Sequence, residues 1–332
     1  MVDETENHTE LTDAEAELYD RQIRLWGLES QKRLRSAKIL LIGLNGYCAE
    51  VAKNIILAGV KSVRFMDHRP LSPLDVCSQF LAPRDQIGKN RAQASLQRAK
   101  NLNAMVSVTA DESNLDDKPD EFFHNFDVIC ASECTVTQIK RLNKIARKQN
   151  INFFVGDVWG MFGYTFADLG THTFVEDLVQ AKKIQVPEGG ETGCKDKFEN
   201  VTTTVKREET FVPFDRILNI KKLPKEAETY YLLQILLNYR EKHGKDPFPS
   251  ERSSNPIKEE ADSVIEAYDL GDTIQPLLEG NLYAQVSPVC AILGGVMGQE
   301  IIKAVSQKEA PHNNLFIFNP DTMCGKILKL GH

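Results

Sequence analysis

Seven cysteines are scattered through the 332-residue chain and no two of them stand in C-x-x-C spacing. Neither a zinc ribbon nor a disulfide framework is therefore expected, and a reducing compartment is. Residues 1–12 are polar and acidic with no apolar core of a leader, and no apolar run reads as long enough to span a bilayer. A soluble, intracellular protein is expected. Positive charge is also in deficit: 40 Lys and Arg stand against 47 Asp and Glu, a formal net charge of -7, which argues against sequence-independent nucleic-acid binding.

Glycine is missing where it would matter most. The apolar run KILLI at 38–42 leads into Gly43-Leu44-Asn45-Gly46 and an Ala/Val/Ile-rich stretch ending at Gly59. SVRFM at 62–66 follows and stops at Asp67, an acid roughly 20 positions beyond the glycine turn. The order predicts strand, tight turn, helix, strand: a nucleotide-binding crossover. Yet Asn45 and Cys48 stand where phosphate approach and helix packing call for the smallest residues. Two readings compete, an intact nucleotide pocket and a Rossmann-like half that kept its fold and lost its ligand. The bulk in the loop favours the second.

The rest of the chain alternates helical and strand patterns, so a largely parallel sheet with right-handed crossovers is expected. Thr12-Asp13-Ala14-Glu15 has the form of a capping box. In YDRQIRLWG at 19–27, two arginines interleave with apolar residues. They read either as side chains snorkelling over a solvated helix or as a guanidinium presented to phosphate. Residues 176–209 are charged with little periodicity and are expected to be partly mobile. Apolar residues at helical spacing mark helices at 226–242 and from Ser287-Pro288 to Val305, and the Gly294-Gly295 pair suggests close packing.

YDRQIRLWG, the Gly43 loop ending at Glu50, Ile87-Gly88, and the stretch from Pro288 to Ala304 together resemble the ubiquitin-like-protein-activating enzymes and their bacterial ThiF/MoeB relatives. FVGDVWG at 154–160, GYTFADLG at 163–170 and PHNNLF at 311–316 resemble the SUMO-activating branch of that family. The resemblance implies a Rossmann-like ThiF/MoeB adenylation fold with a helical and mobile insertion: an acidic tail at 1–12, an inactive adenylation half at 13–175, an insertion at 176–284 and a completing segment at 285–332. It also implies pairs of halves, one of which binds ATP and Mg²⁺, adenylates the modifier and passes it to a cysteine.

Here Asn45 and Cys48 depart from the active half's loop, Arg69 from its acidic pair, Asp75 and Ser78 from its Asn and Arg, Arg91 from its Lys and Glu133 from its metal-holding Asp. By resemblance this chain is the inactive half. ATP and Mg²⁺ would be held mainly by the catalytic large subunit, none by this chain alone and no metal by its own residues. Its contribution would be Arg21, reaching in trans to the partner's ATP, and its partners the large subunit and SUMO, with no membrane and no direct nucleic acid. The resemblance implies the nucleus and leaves the cytoplasm open; Lys182-Lys183 and Lys221-Lys222 are too short for import motifs. Cys194, in GGETGCK at 189–195, is the one cysteine expected to be exposed, but it lacks the setting of the family's nucleophile. Glu50 and His312 read as structural. The alternatives carried are a homodimeric ThiF/MoeB-like adenylyltransferase and an NAD-dependent oxidoreductase.

Overall fold

The computed structural model describes residues 11–184, 197–218, 220, 223–224 and 227–332. Thr12 caps α1 (Asp13–Leu18): its hydroxyl accepts from the Glu15 N–H, and the Glu15 carboxylate accepts from the Thr12 N–H. Next come α2 (Asp20–Trp26), α3 (Leu28–Ser36), β1 (Lys38–Ile42), α4 (Gly46–Leu57), β2 (Ser62–Met66), α5 (Arg91–Lys100), β3 (Ser107–Asp111), β4 (Val128–Ala131) and α6 (Val136–Gln149). The chain continues through β5 (Asn152–Trp159), β6 (Phe162–Asp168), β7 (Thr171–Ile184), β8 (Lys197–Thr210), α7 (Thr229–His243), α8 (Lys258–Tyr268) and the one-turn α9 (Gln275–Leu278). It closes with α10 (Ser287–Ser306), β9 (Leu315–Asn319) and β10 (Cys324–Leu328).

Eight strands form one sheet in the order β10-β9-β6-β5-β4-β1-β2-β3. From β5 to β3 all pairs are parallel, whereas β6, β9 and β10 extend the sheet antiparallel. Chain order reverses between β1 and β4, and a sheet of this kind leaves a crevice at the carboxyl ends of those strands. Alternation divides the core cleanly. Ile39, Leu41, Val63 and Phe65 pack with α4 and α10 on one face, and Leu40, Ile42 and Met66 with α6 and α7 on the other.

Helices α4 and α10 meet through glycine. A Cβ on Gly294 would lie 2.4 Å from Glu50 Cβ and one on Gly298 2.7 Å from Asn54 Cβ, while a Cβ on Gly295 would meet nothing within 4 Å. Only the first member of the pair predicted from sequence to pack closely does so. Gly294→Ala is expected to lower stability by about 1–3 kcal/mol through forced separation of the helices. Gly295→Ala is expected to raise it by about 0.5–1 kcal/mol through helix propensity. Paired thermal or urea melts of the two variants check the opposite signs.

The sequence expectation that no segment is long and apolar enough for a bilayer needs correction. α10 has 20 residues, a mean hydropathy of 1.4 and 56% burial over its most apolar window. Its apolar character comes from packing against α4, β5 and β6, so it reads as a core helix.

The stretch expected to lack regular structure forms a ribbon instead, with β7 and β8 paired antiparallel from Thr171↔Thr210 to Ile184↔Lys197; residues 185–196, with Cys194, lie outside the described residues. Beyond its base, where His172 and Phe174 are buried, residues 175–179 and 201–210 are half-buried or exposed, so the period-2 hydrophobic signal fades there, and the β-propensity of VTTTV at 201–205 marks the strand. The ribbon's base is tied to the body by the Val175 N–H donating to the Gln307 carbonyl at 2.9 Å and the Glu309 N–H to the Val175 carbonyl at 3.0 Å. Residues of α7 and α8 join the same apolar cluster as β4–β6.

Candidate functional site

The loop joining β1 to α4 shows what replaced the glycines. Asn45 caps α4, its side-chain oxygen accepting from the Cys48 N–H at 2.9 Å while its amide donates to Ser132 Oγ at 2.7 Å. The Leu44 N–H donates to Asp67 Oδ2 at 2.6 Å and the Gly46 N–H to Gln285 Oε1 at 2.9 Å. A phosphate at a helix N-terminus is held by such backbone donors. Here Leu44, Gly46 and Cys48 have committed theirs to the chain's own side chains. Gly46 is glycine for packing: Ser78 Oγ lies 2.2 Å from where its Cβ would stand.

Above the loop lies a cavity of about 320 Å³, lined by Arg69, Asp75, Arg91, Glu133, Trp159 and Arg240 among others. Arg91, 3% exposed, spends its whole fork inward: Nε on Asp67 at 2.6 Å, one terminal nitrogen on Asp75 at 2.9 Å and the other on Glu133. Arg69 also pairs with Glu133 and donates to its carbonyl at 3.1 Å. Behind them Arg240 joins Asp157 at 2.7 Å to Asp246 at 2.8 Å, its guanidinium 4.7 Å from the Trp159 ring centre, and Trp159 Nε1 donates to Asp246 at 2.9 Å. Asp157 further accepts from Ser132 Oγ and from the Glu133 N–H.

Burial by itself pushes the Glu133 carboxyl up, but the Arg91 and Arg69 guanidiniums outweigh it, so its pKa falls well below the ordinary 4.5. The Glu133 carboxylate in turn holds Arg69 above its usual range. Burial opposes the charge on Arg91, and Glu133, Asp67 and Asp75 overcome it. At Asp157 burial prevails over the pull of Arg240 and raises the carboxyl. These residues do not fit a nucleotide with its metal: loop donors, guanidinium and carboxylates are already spent on one another, and Glu133 would repel a phosphate.

The ThiF family profile matches residues 19–331. The chain belongs to the ThiF family. Among its relatives, the SUMO-activating enzyme subunit 1 of Xenopus laevis is 43% identical over 334 residues, covering 97% of each chain. The human protein of the same name is 40% identical over 332 residues, covering 96% of each. A crystal structure of PaaA superposes with a TM-score of 0.57 at 15% identity, over 99% of this chain and 79% of that one, and shares the fold.

Within this ThiF fold the departures read singly from the sequence form one cluster: Asp67, Arg69, Asp75, Arg91 and Glu133 neutralise each other. Arg240, Asp157 and Asp246 were missed. A charged residue inside an apolar run, Asp157 in FVGDVWG and Arg240 at the end of YYLLQILLNYR, was the available signal.

Arg21 lies elsewhere. Tyr19, 1% exposed, accepts from Asn103 Nδ2 at 3.0 Å through its hydroxyl, and Gln22 Nε2 donates to the Leu57 carbonyl at 3.1 Å, so α2 is pinned beside the C-terminal end of α4. The cavity is at the opposite end, and a 12-residue helix is about 18 Å long. Between the two pins Arg21 is exposed and makes no hydrogen bond or ion pair among the described residues, while Arg24 pairs with Asp20 at 3.0 Å.

The thiols divide differently from expectation. Cys77 and Cys324 are both exposed, a correction to the expectation that Cys194 alone would be. Cys48, Cys130, Cys134 and Cys290 are buried, and burial pushes Cys134 and Cys290 up to about 12, too high for a thiolate nucleophile. Glu50, 8% exposed, pairs with Lys53, and the His312 N–H donates to Glu300 while its ring stacks on Phe316. Both are structural.

Proposed function

We propose that this chain is the noncatalytic, regulatory subunit of a heterodimeric SUMO-activating enzyme. With its catalytic large subunit it enables ATP-dependent adenylation of the SUMO C-terminus and thioester formation on the partner's cysteine. The observation that carries the inactive role is the self-satisfied loop: phosphate would have to break bonds from the Leu44, Gly46 and Cys48 N–H groups and open the Arg91 fork. Nucleotide and Mg²⁺ then belong to the partner, and this chain supplies Arg21 in trans. Its place at the far end of α4 from its own cavity supports such a reach. The names of the relatives support the modifier.

Apolar side chains in the N-terminal helices favour an extensive subunit interface: Leu25 is 76% exposed and Leu18 57%, and α3 adjoins α10, whose Ile292 is also exposed. The nucleus is the expected compartment.

ATP/pyrophosphate exchange with purified SUMO tests the reading. We expect exchange only when the chain is mixed with the large subunit, and no saturable ATP binding by the chain alone. Exchange by the chain alone would favour the homodimeric adenylyltransferase; quenching of NADH fluorescence on titration would favour the oxidoreductase.

A further inference from the structure

A second concavity, also of about 320 Å³, lies on the face of the sheet over the amino ends of β1–β3, away from the loop and its ion pairs. Strand register makes it a grid. Lys38, Ser62 and Ser107 stand abreast in one row, and Arg64 and Thr109 in the next. In neighbouring strands about 4.8 Å apart, with side chains two residues apart on one face, these groups converge on the same space. On that face Leu40, level with Arg64, and Met66 beyond it disappear into the core, whereas the cavity opens beside Arg64 and Thr109 and over the row of Lys38, Ser62 and Ser107.

Arg64 is half-buried, its guanidinium carbon 5.8 Å from the Phe122 ring centre and 5.7 Å from that of Phe126. Held on two rings, it has no carboxylate and no hydrogen-bond acceptor among the described residues. The Lys38 ammonium and the Ser62, Ser107 and Thr109 hydroxyls likewise make no side-chain bond there. Among the described residues no carboxylate lines the cavity; that of Asp127 accepts from the Lys38 N–H at 2.7 Å and is not part of the lining. Both cations line the same cavity without a neutralising partner among the described residues, and an anion between them is attracted by each.

We infer that this face is an oxyanion site, which takes the phosphate group of a phosphate monoester or inorganic phosphate on the planar fork of Arg64, the Lys38 ammonium and the Ser62, Ser107 and Thr109 hydroxyls. A planar guanidinium matches two phosphate oxygens at once, and the hydroxyl row donates to the third. A carboxylate offers one oxygen fewer and about half the charge, so it binds more weakly.

The test is calorimetric titration of the full chain with inorganic phosphate, with phosphoserine and with acetate. Saturable binding of a phosphate probe is expected, with acetate at least about tenfold weaker. Comparable binding of the two phosphate probes puts all recognition in the phosphate group, and tighter binding of phosphoserine assigns the site to a phosphorylated side chain. Arg64→Met keeps an apolar stem on the two rings and is expected to weaken binding by at least about tenfold. Thr109→Val removes one hydroxyl without changing shape, is expected to cost about three- to fivefold, and serves should Arg64→Met fold poorly. No saturable binding of either phosphate probe, or binding untouched by the variants, overturns the inference and leaves a solvated sheet face.

Discussion

Replacing Arg21 by alanine slows ATP/pyrophosphate exchange by the assembled heterodimer by about 10²–10³-fold and leaves assembly intact. The side chain is exposed and has no partner among the described residues, so its removal leaves no buried group there unpaired. Melting of the isolated variant should match the wild type to within about 0.5 kcal/mol. Tyr19 and Gln22, which pin α2, remain in place. On the function proposed above, the loss would belong to charge: a planar, permanently ionised fork from one subunit would stabilise the negative charge that develops on the other's ATP. Arg21→Lys should recover part of the rate, since a point charge keeps the attraction to phosphate but not the bidentate fork. An exchange rate for Arg21→Ala within about twofold of wild type, in a complex shown to be assembled, would remove Arg21 from the site.

Arg91→Met is expected to lower stability by about 3–5 kcal/mol, a fall in Tm of about 5–10 °C. Surface ion pairs are worth far less, but Arg91 is 3% exposed and faces three carboxylates, so its loss leaves Asp67, Asp75 and Glu133 crowded around one remaining guanidinium. The effect depends on pH in a definite direction. Glu133 holds its proton less readily folded than unfolded, because its folded pKa is lowered below 4.5. Its stabilising contribution is therefore complete above the unfolded value and drains away as pH falls through the folded one. Wild-type stability should decline in acid below about pH 4.5 in part through this residue, and Glu133→Gln should lose that part of the decline while being less stable at neutral pH. Asp157, raised by burial, works in the opposite sense and is common to both proteins. Urea unfolding from pH 3 to 7 (about five points suffice) separates the two; parallel acid limbs would show that folding does not lower the Glu133 pKa.

Local rules carried much of this in the sequence alone. The run KILLI, the capping box at Thr12–Glu15 and the apolar spacing of the last helix specified strand, turn and helix, since each depends on residues within about one turn of each other. The misfit of Asn45 and Cys48 was visible for the same reason: a phosphate loop is short, and its demand for small residues is local. What those departures amount to was decided in three dimensions. Arg91 and Glu133 are 42 positions apart, and Arg240 and Asp157 are 83 apart, yet their charges meet in one cavity. Through-space pairing has no period along the chain.

The ribbon escaped for a related reason, because strands solvated on both faces carry no alternation for the sequence to show. The two ends of α4 show the division most simply. The sequence by itself determined that a helix follows the loop and that an arginine sits among apolar residues near the start of the chain. Only tertiary packing decided that the loop's donors are consumed by Asp67, Gln285 and Asn45, and that Arg21 stands a helix length away from them, because backbone donors and charged side chains take whichever partners the fold brings within reach.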